Sequence, residues 1–155
     1  MYDIGLEHRF DVTRSGVEED PWADTRQGQT HVNYGYEISK AIAAHGQWKQ
    51  RLVLAIARGT SELTVGQVQS DTRCEFGRWF HALPEALRET DQGKRIRVLH
   101  AAFHTEAGAI LELALGGQAA RAEKALETGG AFNRLSGQLV IALTQWKQEL
   151  DGTAA

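Results

Sequence analysis

Apolar residues recur with a spacing near 3.6 along three long stretches of the chain, which is the period of one face of an α-helix. These stretches cover about residues 32–58, 94–115 and 119–150. The first two end at Gly59 and Gly116, and a glycine just beyond the last apolar position is a common helix stop signal. The pattern predicts three long helices. Their apolar faces contain Ile38, Ile42, Trp48, Leu52, Ile56, Ile96, Leu99, Phe103, Ile110, Ala114, Phe132, Leu135, Leu139, Leu143, Trp146 and Leu150.

A shorter helical element is predicted between the first two long helices, over "SDTRCEFGRWFHAL", residues 70–83. Thr72 and Glu75 have the spacing of a capping box, and Pro84 is typical of a new first turn. Gly129-Gly130 is expected to loosen the last long helix locally, because glycine disfavours the helix interior. We therefore predict an all-α fold, an antiparallel four-helix bundle with one short interrupted helix that carries the cysteine.

Length and composition suit one domain with a sizeable core, since 42% of the 155 residues are hydrophobic and 24% are charged. Residues 1–30 differ from the remainder, because they carry seven acidic and three basic residues and show little periodicity. We expect residues 1–31 to form a loosely ordered or partner-dependent N-terminal extension, 32–150 to form the bundle, and 151–155 to form a C-terminal tail.

Several classes of partner are not indicated by the composition. A net charge of −3 gives no reason to expect nucleic acid or a lipid surface. No apolar run approaches the length of a membrane span, and the N-terminus lacks the pattern of a secretory signal. The single cysteine excludes an internal disulfide and fits a reducing compartment, so we expect a cytoplasmic protein.

Three of the six histidines fall on predicted inward helix faces. His45 lies on the apolar face of the first helix, and His100 and His104 are four residues apart, so they project from one face of the next long helix. Burying a neutral imidazole without a partner costs about 1–3 kcal/mol. A single buried histidine is usually hydrogen-bonded within a core, whereas a pair at this spacing also suits a metal ion. His81 is expected to face solvent, and His8 and His31 are given no role.

Cys74 is the only thiol, and alone it could be buried filler, a nucleophile or a metal ligand. Three inward histidines and one cysteine form a plausible closed set for tetrahedral zinc. A bundle with two axial histidines on haem would leave the third histidine and Cys74 unexplained. A metal-dependent hydrolase or thiol transferase of the three-His helical-bundle type would leave the fourth metal position open. No inward carboxylate stands in a clear general-base position, since Glu106 and Glu112 are expected to be solvated.

The residues resemble the bacterial chemoreceptor zinc-binding (CZB) domain family. The resemblance is carried by "AHGQWKQRL", "CEFGRWF" and "HAAFH", that is by H-x-x-W, C-x-F-G-x-W and H-x-x-x-H in this order, and it covers about residues 34–150. It implies a four-helix bundle that holds one Zn²⁺ through His45, Cys74, His100 and His104. Residues 1–30 have no counterpart in the family pattern.

The resemblance also implies a function without catalysis. Domains of this family accompany chemoreceptors and diguanylate cyclases in bacteria as sensory or regulatory modules. The implied signal is zinc availability, or oxidation of the zinc-bound cysteine by oxidants such as hypochlorous acid. We expect a stand-alone member that acts on a chemotaxis or cyclic-di-GMP signalling partner. A homodimer is a further expectation, since residues 121–135 ("RAEKALETGGAFNRL") carry enough apolar residues to permit one. A zinc that only holds the fold together is the other possibility.

Four neighbours of the proposed ligands are candidates for supporting roles. Asp71 could accept an N–H from a ligating imidazole, although an aspartate at this position is more often a plain helix N-cap. Trp48, Phe76 and Trp79 are expected to pack around the site and limit the access of solvent. Because Cys74 lies on the shortest predicted helix and the histidines lie on the long ones, loss of zinc or oxidation of the thiolate is expected to release that helix.

Overall fold

Eight helices and no strand make up residues 33–152, the part of the chain that the computed structural model describes. The helices are α1 (Tyr34–Gly46), α2 (Trp48–Arg58), α3 (Val65–Gln69), α4 (Glu75–Ala82), α5 (Glu85–Arg88), α6 (Asp91–Leu115), α7 (Ala119–Ala125) and α8 (Ala131–Gly152). The predicted all-α fold class is confirmed, while the antiparallel four-helix arrangement stays a prediction. The predicted N-terminal extension lies outside the described residues, and the division into extension, bundle and tail also stays a prediction.

The first long predicted helix is present as α1 and α2, which are separated by the single residue Gln47. Asn33 caps α1, because its side-chain oxygen accepts a hydrogen bond from the N–H of Tyr36 at 2.9 Å. Gln47 keeps a right-handed helical conformation with φ −81° and ψ −12°. Gly59 ends α2 in the left-handed region, with φ 65°, where glycine meets no steric penalty. The predicted stop at Gly59 is therefore confirmed.

Helix α6 is the central element of the described chain. Thr90 caps it by accepting a hydrogen bond from the N–H of Gly93 at 3.1 Å, and Asp91 in the first turn suits the positive end of the helix dipole. The helix runs for 25 residues and ends at Gly116, as predicted. It packs against α2, α3, α5, α7 and α8, so its buried face reaches most of the core.

The last long stretch is divided into α7 and α8. Gly129 lies between them with φ 87°, a conformation that other residues rarely adopt. The expected local loosening at the Gly-Gly pair is thus a complete break, and α8 begins at Ala131. No helix within residues 33–152 is long and apolar enough to cross a lipid bilayer.

The predicted apolar positions form the core. Twelve of these sixteen side chains are buried, and the other four are half-buried: Ile42, Leu99, Leu135 and Leu150. The segment 121–135, considered above as a dimer surface, uses its apolar side chains internally, because Ala122, Leu126 and Phe132 are buried. That segment therefore offers little apolar surface to a second copy. Among residues 33–152, the large apolar side chains with the highest exposed fractions are Val98 on α6 (65%) and Ile141 on α8 (54%).

Candidate metal centre

His45 lies near the end of α1 and is 3% exposed. Its Nδ1 atom is 2.7 Å from the carbonyl oxygen of Ala41, one helical turn earlier. A carbonyl only accepts, so Nδ1 carries the proton and donates it. The lone pair of the ring is therefore on Nε2, and this buried atom has no hydrogen-bond partner among the described residues.

His100 and His104 lie one turn apart on α6, with ring centroids 4.6 Å from each other. They are 2% and 1% exposed, so both predicted inward positions are confirmed. The Nδ1 atom of His104 donates to the carbonyl oxygen of Val68 at 2.7 Å. Its Nε2 atom, like that of His45, is buried without a hydrogen-bond partner among the described residues.

The contact from Val68 comes from α3, an element that the sequence patterns did not connect with the site. Thr64 and Gln67 form a capping box that starts this five-residue helix. Gly108 on α6 lets α3 approach closely, because a Cβ atom at that position would overlap the side chain of Gln69. The T-x-x-Q spacing before Val68 was the available signal for this short helix.

Cys74 is the N-cap of α4, and it provides the cap through its sulfur. The Sγ atom accepts a hydrogen bond from the N–H of Gly77 at 3.1 Å. The predicted cap at Thr72 with Glu75 is wrong, because α4 begins at Glu75 and not within residues 70–73. The same sulfur is 3.3 Å from Nε2 of His100, so the cap position directs the thiol toward the histidines.

Ligand atoms from His45, Cys74, His100 and His104 all lie within 4.8 Å of one another. Bonds of about 2.0–2.3 Å to a tetrahedral zinc would place neighbouring ligand atoms about 3.5 Å apart, so only small shifts are needed to close such a site. The strongest indication of a metal site is that the buried Nε2 atoms of His45 and His104 have no hydrogen-bond partner within residues 33–152, since each carries a lone pair that a metal ion would satisfy. The donor set of three imidazoles and one thiol fits zinc.

Burial sets the protonation of the cluster. It lowers the pKa of His45 to about 4 and that of His100 to about 2, because a buried imidazolium loses its solvation. It also lowers the pKa of His104, although the hydrogen bond to Val68 opposes this change. Burial raises the pKa of the Cys74 thiol, although the hydrogen bond from the N–H of Gly77 opposes this change. At neutral pH the imidazoles are thus neutral donors, while the thiol must lose a proton to bind a metal.

The expected supporting residues differ in their contacts with the cluster. Phe76 packs edge-on against His100, with ring centroids 5.0 Å apart, and Trp48 lies 6.0 Å from His104. Trp79 lies one layer further out, since its aromatic contacts are with Phe76 and with residues that are not in the cluster.

Asp71 contacts the cluster through its main-chain carbonyl group, while its carboxylate faces His81. Its carbonyl oxygen is 3.5 Å from the Sγ atom of Cys74. Its carboxylate lies 3.9 Å from Nε2 of His81, and His81 is exposed as expected. Main-chain carbonyls, and not Asp71, accept the N–H groups of His45 and His104. The role of Asp71 toward a ligating imidazole stays a prediction.

The remaining candidates stand apart from the cluster. Glu112 is exposed and Glu106 is half-buried, and the only group of His, Cys, Asp and Glu suited to a metal within the described residues contains no carboxylate. His8 and His31 lie outside the described residues.

Comparison with known proteins points to the same part of the chain. The family model described as "Chemoreceptor zinc-binding domain" (CZB) matches residues 45–111, a segment that begins at His45 and includes the other three residues of the cluster. No curated protein and no solved structure matches the chain.

Proposed function

We propose that the chain is a member of the chemoreceptor zinc-binding domain family, whose model matches residues 45–111, and that it binds one zinc ion through His45, Cys74, His100 and His104. The observation that carries the proposal is that the Nε2 atoms of His45 and His104, which are buried without a hydrogen-bond partner among the described residues, lie close to the thiol of Cys74 and the ring of His100. Bound zinc would supply a positive charge that holds the Cys74 sulfur as a thiolate.

The protein's own residues prepare this site. The carbonyl groups of Ala41 and Val68 fix the tautomers and ring orientations of His45 and His104, which raises the basicity of their Nε2 atoms. The N–H of Gly77 donates to the Cys74 sulfur and so favours its anionic form. Phe76 and Trp48 are buried and pack against the rings of His100 and His104.

We infer that the site serves a sensory or regulatory module that responds to zinc availability or to oxidants. Cys74 supports this role because it combines two tasks, as candidate ligand and as N-cap of α4. In a reaction with hypochlorous acid, the thiolate sulfur would bind the oxygen as the O–Cl bond breaks, giving a sulfenic acid and chloride. The oxidised sulfur would be a poorer ligand and cap, so α4 would be released from the histidines.

The output is proposed from the family. We propose that the helices form an antiparallel four-helix bundle in which movement of α4 alters a surface for a chemoreceptor or diguanylate cyclase in the bacterial cytoplasm, with a homodimer as the working assembly. A metal-dependent hydrolase or thiol transferase would require Cys74 to be free of the metal. The 3.3 Å separation between its sulfur and Nε2 of His100 favours the ligand role instead.

Elemental analysis of the purified protein tests the metal site. We expect one equivalent of zinc in the parent and clear loss in Cys74→Ser and His100→Ala. His81→Ala is the matched control, since His81 is exposed and outside the cluster, and it should retain the full equivalent. Retention of zinc by Cys74→Ser and His100→Ala would contradict the assignment. With cobalt in place of zinc, an intense sulfur charge-transfer band is expected, and its absence would favour the enzyme alternative.

Hydrogen exchange tests the switch separately from the binding. Amide protons in residues 60–90 should exchange faster after zinc removal or after treatment with hypochlorous acid. The oxidant response should be lost in Cys74→Ser. Identical exchange with and without zinc in a protein that demonstrably binds it would leave a structural zinc as the conclusion.

A further inference from the structure

A cavity of about 790 Å³ opens from the surface of the helices to the metal-ligand cluster. Its lining includes His45, Cys74 and His104, three of the four proposed ligands. His45 and His104 are the residues whose buried Nε2 atoms have no hydrogen-bond partner among the described residues. Cys74 is half-buried, so a small molecule in this cavity can approach its thiol.

The cavity is lined by more basic than acidic side chains. Three arginines line it, and none of them forms an ion pair with a carboxylate of the described residues: Arg51, Arg73 and Arg78. The guanidinium of Arg51 lies over the ring of Trp48, 5.3 Å from its centroid, and that of Arg78 donates to the main-chain carbonyl of Arg73. These contacts orient the two groups but leave their positive charges in place.

The acidic side chains of the cavity are already engaged. Glu75 is 2.6 Å from the ammonium group of Lys40, and Glu37 is 3.5 Å from the same group. With four basic and two acidic side chains along the wall, the excess is two positive charges. Such an excess raises the local concentration of small anions and speeds their encounter with Cys74.

We propose that this cavity, which we call the basic cleft, is a binding site for small anions and the route by which anionic reactants reach Cys74 in preference to neutral ones. The ligand class is a compact molecule with one to three negative charges that either reacts with the thiolate or chelates the metal. The proposal rests on the proposed function for the sensing role of Cys74, and it refines the class of reactant from neutral hypochlorous acid to anionic oxidants and chelators. The preference itself belongs to the cleft and can be measured without zinc.

Two aryl disulfides, one anionic and one neutral, measure the preference on the metal-free chain of residues 1–155. One is the dianion 5,5′-dithiobis(2-nitrobenzoate) and the other is neutral 4,4′-dithiodipyridine. In both reactions the Cys74 thiolate attacks one reagent sulfur, a new S–S bond forms, the reagent S–S bond breaks, and the aryl thiolate leaves with the electron pair. Because the thiolate fraction is the same for both reagents, the ratio of the two rates reports only on access and charge.

Removing positive charge from the cleft should lower the ratio of anionic to neutral rates. We expect a decrease of about threefold in Arg73→Gln and in Arg51→Gln, the size expected for one screened charge acting on a dianion at close range. Glu75→Gln should raise the ratio, since it frees the charge of Lys40. Arg95→Gln is the matched control, because Arg95 is exposed, hydrogen-bonded to Gln145 and absent from the cleft, and it should leave the ratio unchanged.

The zinc-loaded protein provides the second measurement. Zinc removal by the anionic chelator EDTA should slow in Arg73→Gln, while removal by neutral 1,10-phenanthroline should keep the parent rate. A protein that holds no zinc would contradict the proposed function, yet the thiol rates would still test the cleft. Rate ratios that are the same in Arg51→Gln, Arg73→Gln and the parent, or that fall equally in Arg95→Gln, would overturn the anion site.

Discussion

Gly77 packs directly against the main chain of Asp71, so closely that a Cβ atom at position 77 would overlap the Asp71 carbonyl oxygen. The N–H of the same glycine donates to the Cys74 sulfur. We therefore expect Gly77→Ala to push the turn before α4 away, with a loss of about 3 kcal/mol in the free energy of unfolding and at least a tenfold loss in zinc affinity. Urea unfolding and competition with a chromophoric chelator measure the two effects.

Gly137→Ala is the matched control for this substitution. Gly137 is exposed in α8, and within the described residues an added Cβ would meet no atom within 4 Å apart from its chain neighbours and the backbone of its own helix. Alanine there should leave zinc affinity unchanged and stabilise the protein by about 1 kcal/mol, because alanine is the better helix former. Equal zinc affinity in the two variants would show that the contact between Gly77 and Asp71 does not position Cys74.

Zinc binding at pH 7 should release about one proton, and this proton should come from Cys74. Burial raises the pKa of the thiol, so it is protonated before binding. The pKa values of His45 and His100, about 4 and about 2, leave both imidazoles neutral, and that of His104 is also lowered. Calorimetry in buffers of different ionisation enthalpy gives the number of protons. A release of two or more would mean that the histidines are charged in the metal-free protein.

The long helices and the inward histidines could be predicted because each has a signal within its own segment. Apolar spacing and terminal glycines indicated α6 and its end at Gly116, and the same spacing placed His100 and His104 on the buried face. At Gly129 the sequence predicts only a loosened helix, whereas the structure has a break. A glycine pair lowers helix propensity, but it does not determine whether the chain turns there.

The partners of the histidines could not be predicted, because they are main-chain carbonyls. A carbonyl is present at every residue, so nothing in the sequence distinguishes Val68 as the acceptor for His104. The cap of α4 was assigned to Thr72 for a related reason. Cysteine is not among the preferred N-cap residues, and only the three-dimensional contact with Gly77 shows that Cys74 fills this position.

The metal-free protein should lose stability as the pH falls below about 6.5, the ordinary pKa of histidine. Below that value the unfolded chain binds protons that buried His45 and His100 do not, until the pH reaches their folded pKa values of about 4 and about 2. The buried neutral histidines therefore contribute their full stabilisation above pH 6.5. Below that value the free energy of unfolding falls toward pH 4, with a slope of up to about 1.4 kcal/mol per pH unit for each histidine.

Urea unfolding of the metal-free protein between pH 4.5 and 7.5 measures this slope. His100→Leu replaces the imidazole with an apolar side chain of similar size. It should make the slope shallower by up to about 1.4 kcal/mol per pH unit, which is the contribution of one bound proton. Gly137→Ala, which changes no titratable group, should leave the slope as in the parent. If His100→Leu and the parent respond equally to pH, protonation of His100 does not limit acid stability.

Phe76 should protect the cluster from solvent as well as fill the core. It is 5% exposed and meets the rings of His45 and His100 edge-on, with centroids 5.9 and 5.0 Å away. Phe76→Ala should cost about 3–5 kcal/mol in the free energy of unfolding and speed zinc release to a neutral chelator. Phe76→Leu, which retains most of the volume, should cost only about 1 kcal/mol. If Phe76→Ala lowers stability but zinc leaves both variants at the parent rate, the ring acts in packing alone, and the release of zinc is controlled through the cleft.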